Sequence, residues 1–218
     1  MSVIAIRDVH KQFHGNTLFR GISWNIEQGK TYGLIGPNGS GKSVLFKMIC
    51  GFVRPDAGTI DIDPAFLSHR RTFPEHFGIT IDGPAYLPHE TGLENLRRLA
   101  SINKRINLDE VRQSLLDLGL SPDSKQVVRR FSLGMKQKLS LAQAFMEKPA
   151  VLLLDEPFNA LDEDSVANVK TILRKHKESG TTIVFTSHNR GDIAELSDEV
   201  LQISSSSLRP VIEGFPSV

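Results

Sequence analysis

The stretch Gly36-Pro37-Asn38-Gly39-Ser40-Gly41-Lys42-Ser43 fits the pattern G-x-x-x-x-G-K-[ST] in full, and it constrains the fold more than any other part of the chain. Such a loop cradles phosphate with backbone N–H groups, and it does so between a buried strand and a helix N-terminus. Both neighbours are legible. Residues 30–35, KTYGLI, read as a buried strand, and residues 44–50, VLFKMIC, read as a helix stopped by Gly51. The loop therefore predicts an α/β chain with a nucleotide-phosphate site.

Length and composition narrow the class. A chain of 218 residues suits one compact domain, with room for a second lobe, and can bury a sizeable core. Hydrophobic residues at 39% and charged residues at 23% are ordinary for a globular protein, and no apolar run approaches the roughly 20 residues of a membrane span. Basic and acidic side chains number 26 and 25 and are spread throughout, so the electrostatic footprint of a nucleic-acid binder is missing and no nucleic-acid partner is expected. Residues 1–8 alternate like a strand and lack the charged lead and apolar centre of a secretory signal, which predicts a cytosolic chain. The one cysteine, Cys50, falls in the apolar helix after the loop and reads as a small buried hydrophobe without a redox role.

Upstream of the loop and just beyond it, short strands are predicted at residues 4–9, 22–26, 31–35 and 59–62, with turns at residues 14–16 and 27–29. They suggest an antiparallel sheet leading into the loop strand. Phe13, 23 residues before Gly36, is placed to fold back and stack on a base, or else is a core or turn aromatic. From about Pro84 to Leu120 the pattern turns helical. Thr91-Gly92-Leu93-Glu94 has the form of a capping box, with Leu93, Leu96 and Ala100 on one face. A second helix starts near Asn107 or Asp109 and carries Val111, Leu115 and Leu118 before Gly119 ends it. Arg97, Arg98, Lys104 and Arg105 read as a solvated face rather than a docking surface.

Ser132 is placed to cap the helix that follows it, with Gly134 opening the backbone beside it. That helix start reads either as a plain capped end or as a second phosphate site. Residues 151–154, VLLL, followed by Asp155 and Glu156, read as a buried parallel strand whose carboxyl end opens into a crevice. Asp155 suits Mg²⁺, and Glu156 suits a water attacking a γ-phosphate. Residues 182–187 form another buried strand, ending at His188, a candidate sensor of that phosphate. The other histidines show no ligand spacing, so no zinc site is expected.

In this order the motifs resemble the ATP-binding subunit of ABC transporters over nearly the whole chain. The resemblance implies a P-loop NTPase (RecA-like) core with a mainly parallel sheet, an N-terminal antiparallel β subdomain and a helical subdomain. It divides a single domain, 1–218, into residues 1–83 with 136–218 and a helical part at 84–135. By the same resemblance Gly36 to Ser43, with Val44 beside them, look like the Walker A loop, Val151 to Asp155 like Walker B, Glu156 like the catalytic carboxylate, and Asn159 to Asp162 like the D-loop. His188 looks like the switch histidine, Phe13 like the adenine-stacking aromatic, and Ser132-Leu133-Gly134-Met135 like the signature, from which Leu133 and Met135 depart.

That variant, together with residues 78–88, is similar to bacterial exporters of the bacitracin- and lantibiotic-resistance type. Asp82 takes the place of the Q-loop glutamine; a carboxylate is a stronger metal ligand but donates no hydrogen bond, and Asp82 joins Ser43 and Asp155 as the expected metal set. The implied cofactors are ATP and Mg²⁺. The implied partners are a second copy or paralogue, meeting head to tail around ATP, and a transmembrane permease that holds the chain at the cytoplasmic face. Two rivals remain on sequence: an ATP-dependent regulatory module without useful hydrolysis, and a non-transport ABC ATPase. Glu156 and His188 argue against the first, and the lack of room for tandem cassettes or coiled coils argues against the second.

Overall fold

The computed structural model describes residues 1–13, 15–67, 74–83 and 86–211. His14, of the first expected turn, and Pro84 and Ala85, at the expected start of the helical region, lie outside them. Strands β1 (Ser2–Phe13) and β2 (Asn16–Glu27) form a long antiparallel hairpin, and the far edge of β1 pairs with β4 (Ala57–Ile62). In β2 the residues Ile22, Trp24 and Ile26 are buried and Ser23 and Asn25 exposed, the period-two alternation of a sheet with one covered face. Strand β3 (Thr31–Ile35) lies next in sequence but leaves this sheet.

It joins a second sheet of order β5-β6-β7-β3-β8-β9, where β5 is Phe77–Thr80, β6 Val151–Leu154, β7 Thr182–Thr186, β8 Glu199–Ser204 and β9 Ser207–Pro210. Pairing is parallel from β5 to β8, and only β9 runs antiparallel. Every residue of β6 and β7 is buried, as expected of parallel strands covered on both faces. Their side chains split between two cores. Leu152, Leu154, Ile183 and Phe185 face the helical side, whereas Val151, Leu153 and Val184 join Phe46, Ile49, Ile26 and Phe19 between the two sheets and α1 (Lys42–Ile49).

The helical side comprises α2 (Gly92–Asn103), α3 (Leu108–Asp117), α4 (Leu133–Phe145), α5 (Glu163–Glu178) and α6 (Arg190–Leu196). Both α2 and α3 start with capping boxes, Thr91 with Glu94 and Asn107 with Glu110, and each cap contributes about 1 kcal/mol. Of the basic cluster, Arg98 pairs with Glu90 and Arg105 with Glu75, which fits a solvated face.

Helix α4 reaches the sheet through Gly78 of β5. A Cβ there would stand 2.1 Å from the Ala144 carbonyl oxygen and 2.7 Å from Leu152 Cδ2, so no larger residue fits without moving α4. Gly78→Ala is expected to cost about 1–3 kcal/mol, seen as a lower midpoint of thermal or denaturant unfolding.

Candidate functional site

The carboxyl edge of the parallel strands gathers the predicted residues: the loop after β3, Asp155 and Glu156 after β6, and His188 just past β7. A cleft of about 240 Å³ opens there, lined by Leu18, residues 38–44, Asp155, Glu156 and His188. The loop needs its glycines. Gly39 and Gly41 have φ of 77° and 104°, in the left-handed region, and a Cβ on Gly41 would lie 2.7 Å from Phe19 Cζ.

Helix α1 begins at Gly41 with no side-chain cap, whereas Thr91, Asn107, Ser132, Asp162 and Asn189 cap α2 to α6. Its first-turn N–H groups and its dipole are thus left for an anion. Lys42 is buried and donates from Nζ to the carbonyl oxygens of Gly36 at 2.7 Å and Pro37 at 3.3 Å. The Ser40 hydroxyl is buried and has no hydrogen-bond partner among the described residues.

The Ser43 hydroxyl donates to Asp155 Oδ2 at 2.5 Å. Two hard oxygen donors side by side at the end of the phosphate loop suit Mg²⁺, which keeps several waters and takes few protein ligands. The other Asp155 oxygen, Oδ1, accepts from the Thr186 hydroxyl at 2.9 Å, and the same hydroxyl oxygen accepts the Glu156 N–H at 2.7 Å. Glu156 itself has φ of 50°, which is strained for a residue with a side chain.

His188 Nε2 stands 3.3 Å from Glu156 Oε1, near enough for an ion pair but not aligned as a hydrogen bond, so among the described residues that buried oxygen has no donor. Burial pushes the Glu156 carboxyl above the usual carboxylate range; His188 and Lys42 pull it back, and Asp155 adds to the rise. A buried carboxylate oxygen lacking a donor beside an uncapped helix and a buried lysine fits a nucleotide phosphate with an attacking water.

Other expected residues are not brought to this cleft. Phe13 is exposed at the end of β1, its ring under Lys11 Nζ at 4.9 Å, and the apolar residue against the loop is Leu18. Asp82, in left-handed backbone with φ of 57°, pairs with Lys47 on α1 instead of joining Ser43 and Asp155. Lys47 lies one helical turn beyond Ser43, so it neutralises the carboxylate beside the expected metal pair. Asp162 caps α5 by accepting from the Ser165 N–H at 2.8 Å, and hydrogen bonds from Ser165 hold its carboxyl below the usual range.

Ser132 caps α4, accepting from the Met135 N–H at 3.1 Å, and lies with Gly134 outside the cleft lining; Leu133 between them is 74% exposed. Among the described residues no cluster of three metal-ligating His, Cys, Asp or Glu side chains occurs. Thr186, Gln137, Leu18 and Lys47 went unread in the sequence. Only Thr186 carries a signal, a hydroxyl that follows the apolar centre of its strand and stands two residues before His188.

Residues 19–159 match the model of the family described as ABC transporter. The chain belongs to that family. Among curated proteins it is similar to the uncharacterized ABC transporter ATP-binding protein YybJ of Bacillus subtilis (strain 168), 39% identical over 206 residues and covering 94% of each chain. It is also 34% identical over 200 residues to the bacitracin transport ATP-binding protein BcrA of Enterococcus faecalis, covering 91% of this chain and 65% of that one.

Among solved structures, the dimeric post-hydrolysis state of the ATP-binding cassette MJ0796 bound to ADP and Pi superposes with a TM-score of 0.83 at 20% identity, over 97% of this chain and 100% of that one. At that identity the likeness bears on the fold, which is the ABC ATPase fold. A groove of about 560 Å³ lies away from the phosphate chemistry, between β5, α2 and α4, and Ile81 and Gly83, either side of Asp82, line it. Among the described residues no helix is long and apolar enough to cross a membrane.

Proposed function

We propose that this ABC-family chain is the ATP-hydrolysing subunit of an exporter, working as a head-to-tail dimer on the cytoplasmic face of a separate membrane permease. One observation carries the dimer: a single chain holds both a phosphate cleft and a second capped helix start, Ser132 to Gly134, that lies outside that cleft and presents an exposed Leu133 beside it. Two copies related by a two-fold axis make two equivalent sites, each loop facing the partner's Ser132.

In each site Lys42 and the N–H groups of residues 39–43 hold the β- and γ-phosphates of ATP, and Ser43 and Asp155 would hold Mg²⁺. The metal, when bound, neutralises charge that develops on the phosphates. Glu156 orients the attacking water and takes its proton, and His188 steadies the γ-phosphate side of that carboxylate. Phe13 serves the base, and Asp162 belongs to the segment that meets the second copy.

The helical part, residues 84–135, is the arm that presents Ser132. A permease seated in the groove beside Ile81 and Gly83 acts on Asp82 and, through Lys47, on α1. Export rather than import is the reading that the resemblance to bacitracin- and lantibiotic-resistance exporters suggests, and inside-out vesicles carrying the complex would accumulate cargo on adding ATP.

The dimer is tested by rate. Phosphate release per chain is expected to rise with protein concentration and to level off where gel filtration shows dimers; a rate per chain independent of concentration, with monomers throughout, overturns the reading.

A further inference from the structure

Glu156 holds left-handed backbone that a residue with a side chain adopts only when its surroundings enforce it. Two side chains enforce it from opposite ends of its peptides. The hydroxyl of the fully buried Thr186 takes the N–H, as described above. On the other side Gln137 of α4 donates from Nε2 to the Glu156 carbonyl oxygen at 3.2 Å and to the Pro157 carbonyl oxygen at 3.0 Å.

The same face of α4 is pressed on the same turn one helical turn earlier. A Cβ on Gly134 would sit 2.7 Å from the Ala160 carbonyl oxygen, and residues three apart on a helix share a face. Tyr86, four residues past Asp82, fastens this part of α4 by donating its hydroxyl proton to the Lys136 carbonyl oxygen. The first turns of α4 and residues 156–160 are therefore held together by the Gln137 hydrogen bonds and by the close approach of Gly134 to Ala160.

We propose that Gln137 is a positioning residue that couples the two nucleotide sites of the dimer: it ties the seating of one nucleotide on Ser132 and Gly134 to the placement of Glu156 in the chain's own cleft. This rests on the dimer proposed above. Helix α4 carries the cap that meets the other copy's nucleotide at its start and the amide that holds Glu156 five residues later. A shift of α4 on closure is thus delivered to the Glu156 backbone through two hydrogen bonds and not through the carboxylate itself.

The test uses Gln137→Leu, which keeps the volume and loses the donor, and Gln137→Lys, which restores one. In the Leu variant kcat is expected to fall about tenfold, the loss of a charge-neutral hydrogen-bonded clamp, with KM for ATP within about twofold of wild type. Coupled sites are expected to give the wild type a sigmoidal dependence of rate on ATP, which flattens in the same variant, and Lys is expected to recover most of both. With Glu156→Gln added, the ATP-dependent dimer still forms.

An unchanged kcat and an unchanged sigmoidal curve in the Leu variant overturn the proposal, as does a raised KM with kcat intact. Should the Leu variant lose thermal stability, Gln137→Lys decides alone: wild-type kcat and cooperativity support the clamp, and a loss equal to that of Leu overturns it. If Glu156→Gln with intact Gln137 forms no dimer on ATP, the dimer itself is wrong, an outcome separate from the failure of the clamp.

Discussion

Glu156→Gln is expected to lower steady-state phosphate release by about 10²–10⁴-fold, the usual contribution of a positioned general base. Binding of ATP should survive, because the phosphate contacts come from the loop, Lys42 and the α1 N-terminus. The variant with ATP should therefore elute as a lasting dimer while wild type cycles back to monomer. A second consequence follows from the raised carboxyl. Its folded pKa stands above the ordinary 4.5, so the folded state favours the neutral form.

Stability from this group is fully present below the unfolded value and is lost as the pH rises through the folded one. At pH 8 wild type thus carries a buried charge that Gln lacks, and the variant should melt higher than wild type without nucleotide. That advantage should fade as the pH falls through the raised value and vanish below about 4.5, where wild type is also neutral. Hydrolysis by wild type should decline over the same descent as Glu156 takes up its proton. A Gln variant that hydrolyses ATP within severalfold of wild type would remove Glu156 from the chemistry.

Lys42→Ala should act one step earlier. Losing charge-assisted hydrogen bonds to phosphate is expected to weaken ATP binding about 10- to 100-fold, measured by titration calorimetry. Without nucleotide the variant also strips the donor from the Gly36 and Pro37 carbonyl oxygens, so a modest loss of stability accompanies it. The rise in melting temperature on adding ATP should shrink, and the dimer that Glu156→Gln traps should not appear in the double variant. Wild-type affinity in Lys42→Ala would show that the lysine serves only to brace its own loop.

Much of this was legible in the chain itself. Buried parallel strands read as largely apolar runs, which is why the strand expected at 151–154 coincides with β6 and the one expected at 182–187 passes the end of β7 by one residue, and Ser132, Thr91 and Asn107 mark helix starts because caps use a short polar alphabet. The loop named its own function since its chemistry depends on residue types at fixed spacing.

Hydrogen bonds that close across the fold leave no such trace. Gln137 meets Glu156 from 19 residues away and Thr186 meets it from 30, and neither spacing differs from chance in a sequence. Asp82 shows the opposite limit. Its residue type and position suggested a metal ligand, but the structure sets it against Lys47, whose charge is one helical turn along α1 and satisfies the carboxylate first. Phe13 ends β1 with its ring exposed, and the residue of the hairpin that lines the cleft beside the loop, Leu18 of the next strand, has no mark in the sequence.

The protein's only thiol is that of Cys50, which is fully buried at the end of α1 and, by burial, is pushed up to about 12. The folded chain is therefore silent to thiol-directed dyes without any engineering. A cysteine placed at an exposed position such as that of Leu133 becomes a unique attachment point, so a fluorophore there can follow the approach of the second copy in real time against a dark background.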